Sequence, residues 1–324
     1  MIRNKEKEDK FYAKKDFCFS YSSLNKLLFS PSLFYKEYIL FDREVKTDKH
    51  LVEGKLVHCL LFEPENVEEK FSIVPGKSPS DNIRKVLKDM SLHTEAATLV
   101  SVPDSVILDS LKQLNLYQSL KKDEARIAKI RTLDNEPYWK FLSNTNIDVV
   151  DQDTLVKCQD KVEAIKENKD VVNLFEQQTS DFELDPIETH AERYLKSDLK
   201  DKSFGLHGYI DFYKIDHEKF EVTICDLKTT GKSISDFKET VDFYNYWLQA
   251  AIYMKLVYDT LGENAEKYAI VFKFVVIDTY KQVYVFDITQ ETMSSWASGL
   301  EGVIKVAAYH YDKRNYQLPY DFLT

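Results

Sequence analysis

Residues 204–215 and 220–227 are dense in aromatic and β-branched side chains, and the polar run Asp216-His217-Glu218-Lys219 separates them. That pattern predicts two strands joined by a short loop. With Ile215 taken opposite Phe220, Asp211 stands opposite Ile224 and Asp226 opposite Tyr209. Side chains alternate faces along a strand, so Asp211, Asp226 and Lys228 project from one side. The two carboxylates are then diagonal neighbours, roughly 7–8 Å apart at the backbone. A second hairpin is predicted over 268–277 and 282–288, and a short strand over 71–75. Apolar positions recur at helical spacing in 51–62, 106–120, 123–130, 153–175 and 243–258. Residues 289–311 read as an amphipathic helix carrying Trp296 and Leu300. Residues 20–41 read as one or two helices broken near Ser30-Pro31. Strands interspersed with helices fit a mixed α/β sheet flanked by helices. The expected organisation is a charged, flexible N-terminus over 1–19 and a single domain over 20–324, with 78–178 a helix-rich lobe or insertion.

The outer bounds come from composition. At 324 residues with 44% hydrophobic and 30% charged content, the chain has material for a large core. No apolar run approaches the roughly eighteen residues of a membrane span, and the charged start is no signal peptide, so the expected location is the cytoplasm. Cys18, Cys59, Cys158 and Cys225 are isolated, without Cys-x-x-Cys spacing. That argues against a zinc or iron–sulfur site and for a reducing compartment. No glycine-rich phosphate loop, Gly-x-Ser-x-Gly or His-Glu-x-x-His occurs, which weakens ATPase, serine-hydrolase and metalloprotease readings.

Two acids on one sheet face repel unless something neutralises them. Mg²⁺ or Mn²⁺ does so, because such hard cations take carboxylate oxygens. Lys228 beside the ion suits a phosphate oxygen or an attacking water. The implied chemistry is metal-assisted phosphodiester hydrolysis. The net charge of −10 opposes a broadly basic nucleic-acid surface. Local tracks remain available in Arg193, Lys196, Lys200 and Lys202, and in Lys228, Lys232 and Lys238. Among the twenty Tyr and twenty Phe, some rings can stack on single-stranded bases.

Asp211, followed by a hydrophobic strand ending in Asp226-Leu227-Lys228, resembles the signature of the PD-(D/E)XK nuclease superfamily. Three further marks resemble its RecB-like exonuclease branch: His58 in Glu53-Gly54-Lys55-Leu56-Val57-His58, Gln249-Ala250-Ala251-Ile252-Tyr253, and Ser20-Tyr21-Ser22-Ser23-Leu24 ahead of Ser30-Pro31. The resemblance implies a restriction-endonuclease-like fold. It implies that His58, Asp211, Asp226 and the Leu227 carbonyl bind Mg²⁺ or Mn²⁺, with Asp211, Asp226 and Lys228 catalytic. Gln249 and Tyr253, four apart on one helix face, would position the lysine or the nucleic-acid backbone. An accessory glutamate is expected from the strand before Asp211, and Glu188 and Glu192 are both candidates. Ser30 stands where many relatives have cysteine, and no cysteine follows the catalytic segment, so no iron–sulfur cluster is expected.

The activity implied is a DNA exonuclease acting at linear ends, in recombination, repair or DNA degradation. A recombination or annealing protein is the implied partner, and the host cytoplasm the location if the chain is phage-encoded. The alternative from another class is a nuclease-like fold that binds DNA ends or a recombination partner without cutting. The intact Asp211, Asp226 and Lys228 set speaks against that loss.

Overall fold

The computed structural model describes residues 4–14, 16–43, 49–76, 79–143, 147–175 and 186–317. Residues 1–3 of the expected flexible N-terminus, and 183–185 at the start of the strand region, lie outside these. The chain divides into two compact units, one from residues 1–46 and 163–324, the other from 47–162.

The first unit opens with α1 (Lys5–Tyr12), β1 (Cys18–Phe19), α2 (Tyr21–Phe29), α3 (Pro31–Phe34) and a π-helical turn, Tyr35–Ile39. Within the N-terminal stretch, residues 5–12 form α1. Asn4 accepts from Lys7 N–H to cap α1, and Phe11 is buried in the core, so a hydrophobic anchor holds an otherwise charged helix. Ser20 caps α2 in a reciprocal box with Ser23. Ser30 ends α2 and caps α3, with Pro31 at the first helical position, which accounts for the break read from sequence.

The second unit holds α4 (Lys49–Phe62), α5 (Val67–Lys70), β2 (Phe71–Ile73), α6 (Asp81–Ser91), α7 (Asp104–Gln113), α8 (Asp123–Ile130), α9 (Glu136–Ser143), β3 (Asp148–Val150) and most of α10 (Gln152–Glu167). Its helices α6 to α9 gather around Trp139, Leu87, Met90 and Ile107, all fully buried. β2 and β3 pair in parallel. Because the unit begins at residue 47, it takes in α4 and β2 together with the helices read as a lobe.

Back in the first unit come α11 (Lys169–Phe175), β4 (Ile187–Asp198), β5 (Gly205–Asp216), β6 (Glu221–Thr229), α12 (Phe237–Phe243), α13 (Tyr246–Thr260), β7 (Ala269–Ile277), β8 (Val283–Asp287) and α14 (Gln290–Lys313). Six strands form one mixed sheet, ordered β1-β5-β6-β7-β8, with β4 along the other edge of β5. The β6–β7 pair is parallel, and α12 and α13 form its crossover. α13 is apolar nearly all round because it is the central covering helix. Its Leu248, Ile252 and Leu256 are fully buried, each contributing roughly 2–3 kcal/mol. α14 closes over the same face, where Trp296 meets Phe274. On the opposite face Phe175 of α11 packs on Phe212 at 5.0 Å. The architecture is therefore a central mixed α/β sheet flanked by helices, as expected from the sequence.

Two glycines let the layers approach. A Cβ on Gly205 would lie 2.5 Å from the Ser197 carbonyl oxygen and 2.7 Å from Cys18 Sγ, where β1, β5 and β4 meet. A Cβ on Gly208 would lie 3.1 Å from the Tyr253 ring. Among the described residues no helix is long and apolar enough to cross a membrane.

Candidate active site

The hairpin forms as predicted, but its register differs by two residues. Ile215 pairs with Val222, not Phe220, and the ladder runs to Phe212 opposite Cys225. Asp216 sets the turn: its Oδ1 accepts the N–H groups of Glu218 and Lys219 at 3.1 and 2.9 Å, and the loop keeps four residues, 217–220, moved one position along the chain. A shift of two preserves the face of every side chain. Continuing the ladder puts Asp211 opposite Asp226, direct rather than diagonal neighbours. There the two strands part, and Asp211 Oδ2 accepts from Leu227 N–H at 2.8 Å. Asp211 is 6% exposed and Asp226 0%. Two carboxylates this deep repel each other strongly unless cations balance them.

Lys228 supplies one balancing charge. Its Nζ lies 2.5 Å from Asp226 Oδ2 and donates to Gln249 Oε1 at 2.9 Å. Gln249 Nε2 donates in turn to Tyr253 OH at 2.8 Å. The Lys228 ammonium also sits 4.7 Å from the centre of the Tyr246 ring. Burial alone would lower the Lys228 pKa, but Asp226 and then Asp211 outweigh it and hold it above the ordinary lysine value. Burial, followed by Asp211 and Asp226, pushes the Tyr253 phenol well above its usual range. Gln249 and Tyr253 thus share one helix face, as their spacing predicted, and that face looks onto the lysine.

Between the two accessory glutamates, geometry discriminates. Glu192 stands opposite Asp211 in the β4–β5 pair, and the two carboxylates approach within 4.8 Å. Its backbone is left-handed, φ 46°, and it drops out of the ladder between Ala191 and Arg193. A non-glycine residue there carries strain of about 1–3 kcal/mol, and such strain concentrates at functional sites. Glu188 is engaged elsewhere: its carboxylate holds His217 Nε2 at 2.9 Å and His190 Nε2 at 3.5 Å, and those contacts pull its pKa down. His58 lies in the second unit on α4, half-buried, its ring 6.2 Å from that of Phe62.

Residue-level reading from sequence missed the support around α13. Tyr21 OH donates to the Tyr244 carbonyl at 2.5 Å, and Asn25 Nδ2 donates to the same oxygen at 3.3 Å. Asn245 Nδ2 donates to Asn25 Oδ1 at 2.8 Å. The Ser20-to-Leu24 stretch thus does two jobs: Ser20 and Ser23 start α2, and Tyr21 fixes the turn that leads into α13. The signal available was Tyr21 itself, a large aromatic inside an otherwise small polar capping motif.

A family model described as the PD-(D/E)XK nuclease superfamily matches residues 18–316. Among solved structures, one from Eubacterium rectale described as a "Putative exonuclease" aligns with a TM-score of 0.45 at 10% identity, covering 94% of this chain and 86% of that one. Comparison with curated proteins gave no match.

Proposed function

Because the chain belongs to the PD-(D/E)XK nuclease superfamily, which makes it a metal-dependent hydrolase of nucleic acid, we propose the finer reading of a RecB-like DNA exonuclease acting at DNA ends. The observation that carries it is the convergence of Asp211 and Asp226, both nearly inaccessible, with Lys228 tied between Asp226 and Gln249.

The donor set fits a hard divalent cation. Glu192, Asp211 and Asp226 bring three carboxylates against one ammonium, a surplus of negative charge that Mg²⁺ or Mn²⁺ would offset. The residues to hold the ion are Asp211, Asp226 and Glu192, with the Leu227 carbonyl. His58 is assigned as an imidazole ligand on the family pattern. When bound, the ion supplies Lewis-acid polarisation of the phosphate and of nearby water.

The chain's own groups do the rest. Leu227 N–H fixes one Asp211 oxygen. Gln249, braced by Tyr253, aims the Lys228 ammonium. Lys228 then orients the attacking water or balances charge developing on the phosphate during in-line displacement. Exonuclease action is favoured over site-specific cutting on the RecB-like resemblance. Recombination, repair or DNA degradation follow from the RecB-like resemblance, as does a recombination or annealing protein as partner.

Linear, nicked and circular DNA incubated with the protein and Mg²⁺ or Mn²⁺ test this. Degradation of linear DNA alone, stopped by EDTA and absent in Asp226→Ala and Lys228→Ala, is expected. Shifted mobility without any cleavage would overturn the reading in favour of a DNA-end binder.

A further inference from the structure

Where α12 hands over to α13, two large rings stand in solvent beside the site. Phe243 is 74% exposed and Tyr244 45%. Their rings meet edge-on at 4.9 Å. Tyr244 stacks on Tyr246 at 5.5 Å and 24°, and Tyr246 carries the Lys228 ammonium on its face. An unbroken path of rings therefore leads from the surface to the lysine of the site. On the outer side Lys232 Nζ lies 5.7 Å from the Phe243 ring centre.

The platform is also rigid. Tyr21 and Asn25 hold the Tyr244 carbonyl, and Asn25 grips Asn245. Asn245 takes a left-handed backbone, φ 56°, and accepts from Trp247 Nε1 at 3.0 Å. A turn fixed by four side-chain hydrogen bonds presents its two rings at little further entropic cost on binding. Exposed rings flanked by ammonium groups match single-stranded nucleic acid, whose bases offer π-faces and whose backbone offers negative charge.

We propose that Phe243 and Tyr244 form a stacking platform for unpaired bases of the substrate strand, next to the bond that Lys228 serves. This rests on the nuclease reading above and adds the substrate feature that the site selects: a single-stranded segment or frayed end at the cleaved linkage.

Fluorescence anisotropy with Ca²⁺ as the divalent ion compares a blunt duplex with duplexes bearing short 3′ or 5′ tails. Wild type should bind a tailed duplex more tightly. Phe243→Ala and Tyr244→Ala should each lose roughly ten-fold of that affinity and bind the blunt duplex almost unchanged. Tyr244→Phe should retain it, as should Tyr280→Ala, a change at another exposed ring. Both platform rings are exposed and the clasp uses the Tyr244 backbone, so these variants should melt like wild type. As a check independent of mutation, 5-iodouracil in the tail should photocross-link to the peptide containing Phe243 and Tyr244. Wild type that cleaves DNA while the variants keep its preference for tailed over blunt ends, or cross-links on another surface, overturns the platform and leaves the nuclease standing. Wild type that neither binds nor cuts DNA overturns both.

Discussion

Splitting the Asp226–Lys228 pair should cost more stability than deleting it whole. Asp226 is fully buried, the Lys228 side chain is 13% exposed, and the charged atoms are 2.5 Å apart. At an effective dielectric of about 20, the direct attraction at that separation is about 7 kcal/mol gross. Much of it is offset by removing both charges from water, and truncating one partner of such a pair typically costs about 3–5 kcal/mol. Lys228→Ala should fall at the upper end, about 5 kcal/mol. It removes the ammonium from a carboxylate with no solvent access that faces a second one, Asp211. Asp226→Ala should cost about 3 kcal/mol or less. Lys228 keeps Gln249 Oε1 at 2.9 Å, retains some exposure, and sheds a carboxylate–carboxylate repulsion. The double variant should recover part of the Lys228→Ala loss, because Asp211 then no longer faces the Asp226 carboxylate. Urea unfolding in EDTA, followed by circular dichroism, measures all four proteins without a bound cation. If the double variant is the least stable and the single losses simply add, the pair is not coupled and the reasoning fails. Cleavage should be absent in all three, so stability and activity separate cleanly.

Further expectations concern the groups around that pair. Gln249→Ala removes the acceptor that aims Lys228 and should lower kcat about ten-fold while KM for DNA changes little, in steady-state cleavage of linear DNA; an unchanged kcat refutes the positioning role. Glu192→Gly should match or exceed Glu192→Ala in stability by about 1 kcal/mol, since glycine adopts φ 46° without strain, and thermal melts of the two decide it. Asp216→Ala should cost about 1–2 kcal/mol by releasing two backbone donors of the β5–β6 turn. The Lys219 N–H, with help from the Lys219 ammonium and the Glu218 N–H, draws the Asp216 pKa below the ordinary aspartate value. Its contribution is therefore present above about pH 4 and lost as pH falls through the folded-state value. Stability curves of wild type and Asp216→Ala should converge as pH falls through the lowered folded-state value, and a constant gap at all pH values would sink that assignment.

What was legible in the chain was whatever depends on short spacing. Strand periodicity placed Asp211 and Asp226 on one face, and the four-residue interval of Gln249 and Tyr253 put them on one side of α13. Both survive a register error, because a slip of two residues leaves faces unchanged. The capping serines and Ser30-Pro31 likewise announced where α2 ends and α3 begins. Three-dimensional contacts, local at the β5–β6 turn and long-range elsewhere, decided the rest. The turn chemistry of Asp216 set the true register, and so made the aspartates direct neighbours. The left-handed backbone at Glu192 separated it from Glu188, although the two have the same side chain and lie on the same strand. Phe11 drew a charged N-terminal helix into the core, which no local pattern demanded. Exposure of Phe243 and Tyr244 was equally hidden, since a ring in a sequence reads as core until its neighbours are known. Local periodicity records how a segment can fold by itself; the charge balance and strain that make a site arise only when segments far apart in the chain are packed together.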